Sequence, residues 1–207
     1  MTASPASRQE PRRLRTRAAL LQAGAELLSQ RPVDAIAVNE IVEAAGVAKG
    51  SFFNHFADKD SFAAEIARDI RRDVETRVTA ANAVVADPAA RMARAICVFV
   101  QFALTEPKRA RIMLRGQDWA RSGGHPLNDG VRADIRRGVA EGRFAERAAE
   151  GGVLYVIGVC QTLVMATAAE RRTVQDARRL TREMLSLTFA GLGARDAQGI
   201  IDSAAMD

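Results

Sequence analysis

Lys49, Gly50 and Ser51 stand together inside the stretch AGVAKGSFFNHFADKDSF, which runs from Ala45 to Phe62. The chain carries 30 Lys and Arg, yet its lysines are only Lys49, Lys59 and Lys108, and two of them fall in this stretch. From Ala44 to Ala57 there is no acid, although the chain holds 25 Asp and Glu. An ammonium and a hydroxyl can donate to phosphates or base edges, and a glycine lets the backbone come close to a ligand. An acid among them would repel phosphate, so its absence suits contact with a polyanion.

The elements needed to present these residues can be read around them. Val38, Ile41, Val42 and Ala45 share one face of a short helix that Gly46 stops. Past a tight turn at Gly46 and Val47, a second short helix begins near Ala48 and carries Phe52, Phe53 and Phe56. Two short helices joined by a glycine turn make a helix-turn-helix, whose second helix puts its N-terminal residues into the major groove. Phe52 and Phe56, four apart, face inward as core. Upstream, Leu14, Ala18, Leu21, Ala25 and Leu28 mark a helix from Arg12 that Pro32 ends. Downstream, Asp58 reads as the N-cap of a helix with Phe62, Ile66, Ile70 and Val74 on its apolar side. Lys59 sits in that helix's first turn, where the macrodipole favours anions, so it reads as a phosphate contact. The run RRLRTR, Arg12 to Arg17, can add backbone or minor-groove contacts. His55 alone reads more readily as a surface histidine than as a phosphate ligand.

Asp87-Pro88 breaks the pattern. Beyond it the sequence predicts helices over Pro88 to Thr105, after Pro107, near Leu127 to Glu141, near Ala145 to Ala169 and from Val174 to Gly191. No strand alternation or internal repeat appears, and the fold class is all-α. The expected organisation is a disordered tail over 1–11, a DNA-binding unit over 12–57, a connecting helix over 58–83, a larger helical domain over 84–192 and a flexible tail over 193–207.

Composition limits the alternatives. A net charge of +5 and a pI near 10 permit a polyanionic partner without requiring one. Two cysteines in apolar surroundings, Cys97 and Cys160, are no disulfide framework and point to a cytoplasmic protein. The segment Gly151 to Ala169 has no charged residue and is long enough to span a bilayer. A helix apolar all round also arises when one face packs on its own core and the other on a second subunit, which is the reading preferred here. Paired catalytic acids, a phosphate loop and a nucleophile elbow are lacking, and so is a metal-ligand cluster. No enzyme, cofactor or metal is expected.

The stretches RTRAALLQAGAELL and IVEAAGVAKGSFFNHFADKDSF resemble the N-terminal domain of the TetR/AcrR family of transcriptional regulators. Ala44, Ala45, Gly46, Val47, Gly50, Ser51, His55, Phe56 and Lys59 fall in register with the family pattern. LNDGVRADIRRGVAEGRF resembles, more faintly, a segment of the family's C-terminal domain. The resemblance implies Lys49, Gly50 and Ser51 nearest the bases, and Phe53, Asn54, His55 and Lys59 on or beside the phosphate backbone. Two departures remove donors or caps: Phe53 stands where the family usually has Tyr, and Ala37 where it often has Thr. The resemblance further implies a homodimer on a palindromic double-stranded operator, without a membrane, acting as a repressor that a small-molecule inducer releases. Pocket candidates are Phe99, Phe102, Met113, Gln117, Trp119, His125, Tyr155, Gln161 and Met165, each of which taken singly reads more readily as ordinary core. A helical adaptor without DNA binding, and a redox-sensing regulator using Cys97 or Cys160, remain the alternatives.

Overall fold

The computed structural model describes residues 5–115, 126–169 and 173–204, and everything below refers to them. They are all-helical, and the chain divides into two compact units, Met1–Ile70 and Arg71–Asp207.

The first unit holds α1 (Pro5–Gln30), a single 3-10 turn (Val33–Ala35), α2 (Val38–Ala44), α3 (Lys49–Phe53) and the first half of α4 (Lys59–Ala81). Its core gathers Leu20, Leu28, Ile36, Ile41, Phe52, Phe56, Phe62 and Ile66, all buried. Gly24 on α1 lets the Phe62 ring and the Ile66 methyl lie against bare backbone, because a Cβ there would run into both. The helix α1 begins at Pro5, inside the segment expected to be a tail, and continues through Pro11. Pro11 removes one N–H from the helix ladder but leaves its carbonyl, which accepts from Arg15 Nε at 3.2 Å.

In the second unit, α5 (Pro88–Thr105), α6 (Pro107–Arg115), α7 (Pro126–Ala140) and α9 (Val174–Gly191) pack around α8 (Ala148–Ala169). The core runs through Met92, Ile96 and Val100 of α5, Ile135 of α7, Val156 and Leu163 of α8, and Leu185 and Phe189 of α9. The expected flexible tail over 193–207 is corrected: α10 (Ala197–Ser203) packs on α5 and α9 and buries Ile200 and Ile201. Asp196 caps it by accepting from Gly199 N. Two adjacent isoleucines in seven residues show no helical period, so only the packing reveals this helix.

Asp87 does two jobs in this unit. It caps α5, accepting from Ala89 N, and it takes a bidentate pair from Arg143 at 2.9 and 2.7 Å. The Arg143 hydrogen bonds hold its carboxyl below the ordinary aspartate range. A lowered folded pKa contributes stability above the unfolded value and loses it as pH falls through the folded one. Asp87→Asn keeps a capping side chain and loses only the charge, so it should cost about 0.5–1 kcal/mol at neutral pH, as expected for a part-exposed ion pair. The difference from wild type should vanish in buffer more acidic than the ordinary aspartate range, as read by urea denaturation at both pH values.

Candidate nucleic-acid interface and effector cavity

The turn between α2 and α3 is closed by two bonds, Val47 N to Val42 O at 3.0 Å and Gly46 N to Glu43 O at 3.1 Å. This C-terminal motif needs a left-handed residue, and Gly46 supplies it with φ +65°. On the other side of the turn α3 presents Lys49, Gly50, Phe53 and Asn54 outward, with Ser51 half-buried beside them. Phe53 is 55% exposed while its neighbour Phe52 is fully buried. Phe52, Phe56 and Phe62 meet with ring centroids 4.7–5.5 Å apart and hold α3 in place. No acidic side chain belongs to α3.

Several charges near α3 are engaged within the unit. Arg17 lies over the Phe56 ring and pairs with Glu65. Arg31 joins the 3-10 turn to α2, donating to Ala35 O and to Glu40. Glu40 in turn accepts from Ala37 N at 2.8 Å. Because Ala37 has no side-chain acceptor, only this half of a capping box forms at α2. His55 is pushed below its ordinary pKa by burial first, then by Arg13 and Arg17, so its ring is neutral at physiological pH. Asp58 caps α4 as expected, exchanging bonds with Ser61.

Lys59 has a role the sequence did not reveal. Its Nζ donates to Val33 O at 3.2 Å and Ile36 O at 2.8 Å, tying the start of α4 to the 3-10 turn. Two of its three N–H donors are thus committed to backbone. Those carbonyls lie 26 and 23 residues upstream, so no local signal marks them.

The second unit contains a cavity of about 300 Å³ bounded by α4, the turn after it, α5, α7 and α8. Val78, Met92, Ile96, Phe99, Val131 and Ile157 make most of its apolar wall, and Glu75, Thr79, Asn82, Arg91, Asn128 and Asp134 are its polar members. Arg91 donates to Asp134 across α5 and α7 at 2.9 Å and to the carbonyls of Asn82 and Val85. Burial raises the Asp134 carboxyl despite that partner.

Of the nine pocket candidates, Phe99 lines this cavity. Phe102 is buried beneath the guanidinium groups of Arg77 and Arg109, and Met113 is buried on α6. Tyr155 and Met165 lie on the outer face of α8, and Gln161 is half-buried on the same helix. None of these five lines this cavity, and for the three on α8 the reason is simple. The segment 151–169 is uncharged all round, so its sequence does not show which face turns inward. Gln117, Trp119 and His125 lie outside the described residues. Among the described residues, no three His, Cys, Asp or Glu side chains gather as they would around a metal ion.

The family model described as "Bacterial regulatory proteins, tetR family" matches residues 20–66, the segment that builds α1 to α4 around the turn at Gly46. Over these residues the chain matches the TetR family of transcriptional regulators. A curated relative, the HTH-type transcriptional repressor DhaR of Mycobacterium sp. (strain GP1), is 32% identical over 60 residues, 29% of this chain. The match spans only 30% of that relative's length. Solved structures share the fold over most of the chain. A structure of RolR in complex with resorcinol superimposes with a TM-score of 0.59 at 24% identity, covering 96% of this chain and 97% of its own. A gamma-butyrolactone receptor (ArpA-like protein) superimposes with a TM-score of 0.66 at 22% identity, covering 93% and 96%.

Among the described residues one helix, α8, is long and apolar enough to cross a membrane. Half of its apolar window is buried against its neighbours. Its outer face carries Leu154 (65% exposed) and Met165 (56%), beside Leu187 of α9 (63%). Gly158 lies on the same face in open space.

Proposed function

We propose that this regulator is a cytoplasmic repressor that binds a palindromic operator as a homodimer and is released by a small molecule held in the cavity of its second unit. What carries the DNA-binding part is α3. It is a short, acid-free helix on a glycine turn, with Lys49, Gly50, Phe53 and Asn54 exposed together. Lys49, Gly50 and Ser51 would lie nearest the bases, with Phe53, Asn54, His55 and Lys59 on or beside the backbone. The apolar outer face of α8, with Leu187 of α9 beside it, supports a four-helix contact between two copies. The name of the DhaR relative supports repression, and the resorcinol bound by RolR supports a small-molecule effector. By linkage, an effector that lowers operator affinity binds the DNA-bound form more weakly by the same factor.

Selecting operators from a random duplex library, then titrating salt with variants, tests this reading. Lys49→Ala should cost about 1–3 kcal/mol on the selected site and relax base preference at one position. Lys59→Ala should weaken all duplexes alike and lower the salt slope by about one counterion. Because Lys59 also holds two carbonyls, the same change should destabilise the first unit by about 1.5–3 kcal/mol. If both variants keep wild-type affinity and salt slope, α3 is not the reading head.

A further inference from the structure

Glu75, Val78, Thr79 and Asn82 all line the cavity, and they stand at i, i+3, i+4 and i+7 along α4. Residues so spaced share one face of a helix, so Glu75 belongs to the stripe that α4 gives to the cavity. Among the described residues Glu75 makes no hydrogen bond or ion pair, not even with Arg71 or Arg72 one turn earlier. It is half-buried, and neither of its carboxylate oxygens is sealed from water. Thr79, one turn further on, is exposed, so this edge of the cavity opens to solvent. Elsewhere the wall is apolar and buried, with Met92, Ile96 and Phe99 of α5 and Val156 and Ile157 of α8.

The charges of the wall do not balance. Its cation, Arg91, is matched by Asp134 at 2.9 Å. Glu75 is left as a carboxylate without a counter-charge, and Thr79, Asn82 and Asn128 have none to offer. An anionic ligand would bring a third negative charge to this wall. A neutral one would gain from the apolar surface alone. A cation with an apolar body uses both features. Its body covers the apolar wall, and its head pairs with Glu75 at the open edge, where it keeps part of its water. The chain's net charge of +5 repels cations in general, so a preference for one marks a site rather than the surface.

We infer that the cavity takes a small organic cation, an ammonium on an apolar body, whose charge pairs with Glu75. This rests on the proposal that the cavity is the effector site, and it assigns Glu75 as the residue that selects ligand charge. The test uses the full chain and three matched sets of compounds on the same aryl and alkyl bodies, carrying an ammonium, a hydroxyl or a carboxylate. Binding is read by isothermal titration calorimetry. The ammonium compounds should bind about three- to tenfold tighter than the hydroxyl ones, as expected for a part-exposed charge-assisted contact, and the carboxylates weakest.

Glu75→Gln keeps the size, removes the charge and should bring ammonium and hydroxyl to equal affinity without changing the hydroxyl set. Should that variant not fold, the wild-type order decides together with salt. Added sodium chloride should then narrow the ammonium advantage and leave hydroxyl affinity as it was. The inference is overturned if hydroxyl or carboxylate compounds match their ammonium partners, if Glu75→Gln keeps the ammonium advantage, if salt leaves it unchanged, or if no ammonium compound binds. Operator affinity is measured separately with each binder. An ammonium compound that binds without changing operator affinity would defeat the inducer reading while leaving the assignment of Glu75 standing.

Discussion

Gly158→Arg should convert the protein to a monomer and weaken binding to its palindromic operator by about 10²–10⁴-fold. That is the advantage lost when two linked reading heads become independent. The substitution is clean within one chain, because a Cβ at Gly158 would meet nothing within 4 Å. Arginine is also a better helix former than glycine, so α8 itself should not suffer. The damage falls on the proposed contact between copies, where Leu154, Gly158 and Met165 share the outer face of α8 beside Leu187 of α9. A guanidinium placed there loses water without gaining a partner. Light scattering at micromolar concentration should give half the wild-type mass, and affinity for a duplex carrying one half-site should stay unchanged. A wild-type monomer, or a variant that remains dimeric, would remove the interface from these helices.

Phe62→Ala should cost the first unit about 3–5 kcal/mol, the usual range for truncating a buried phenylalanine. The ring is 1% exposed, meets Phe52 and Phe56 with centroids 5.3 and 4.7 Å away, and lies against the bare backbone of Gly24. A unit of this size has a stability of only a few kcal/mol in hand, so the helix-turn-helix should open while the second unit stays folded. Hydrogen exchange should then show lost protection over 20–66 and retained protection in α5 and α8. Gly24→Ala attacks the same contact from the other side, by driving a methyl into the ring, and should cost about 1–3 kcal/mol. Wild-type protection in Phe62→Ala would show that the aromatic cluster does not hold α3.

Much of this was legible before the structure because the signals were local. Asp87-Pro88 announces α5, Asp58 announces α4, and Gly46 marks the turn that places Lys49. Each is a backbone requirement that one or two residue types meet, so the sequence carries it in place. The rest depends on residues that meet only after packing. Asn82, Arg91 and Asp134 look like solvated polar positions of three separate segments, and only the packing of α5 on α7 makes them one wall. Lys59 reads as a free cation until the 3-10 turn is folded beneath it. Tyr155 and Met165 were attractive pocket residues because an uncharged helix gives no clue to its inner face. The terminal helix α10 is too short for a period and exists by virtue of the groove that receives Ile200 and Ile201.

The two cysteines supply a built-in timer for the second unit. Burial lifts the Cys97 thiol to about 11 and the Cys160 thiol to about 12, so almost none of either is thiolate at neutral pH. Cys97 sits under α10, its thiol within 3.3 Å of Ala204 O, and Cys160 stands in the cavity wall. A thiol reagent can reach them only when the chain opens, so labelling proceeds at the pace of that breathing. Cys97 should record the lifting of the last helix and Cys160 the loosening of the cavity. A molecule seated in the cavity should slow the second far more than the first, which makes occupancy readable as a difference between two rates in one sample.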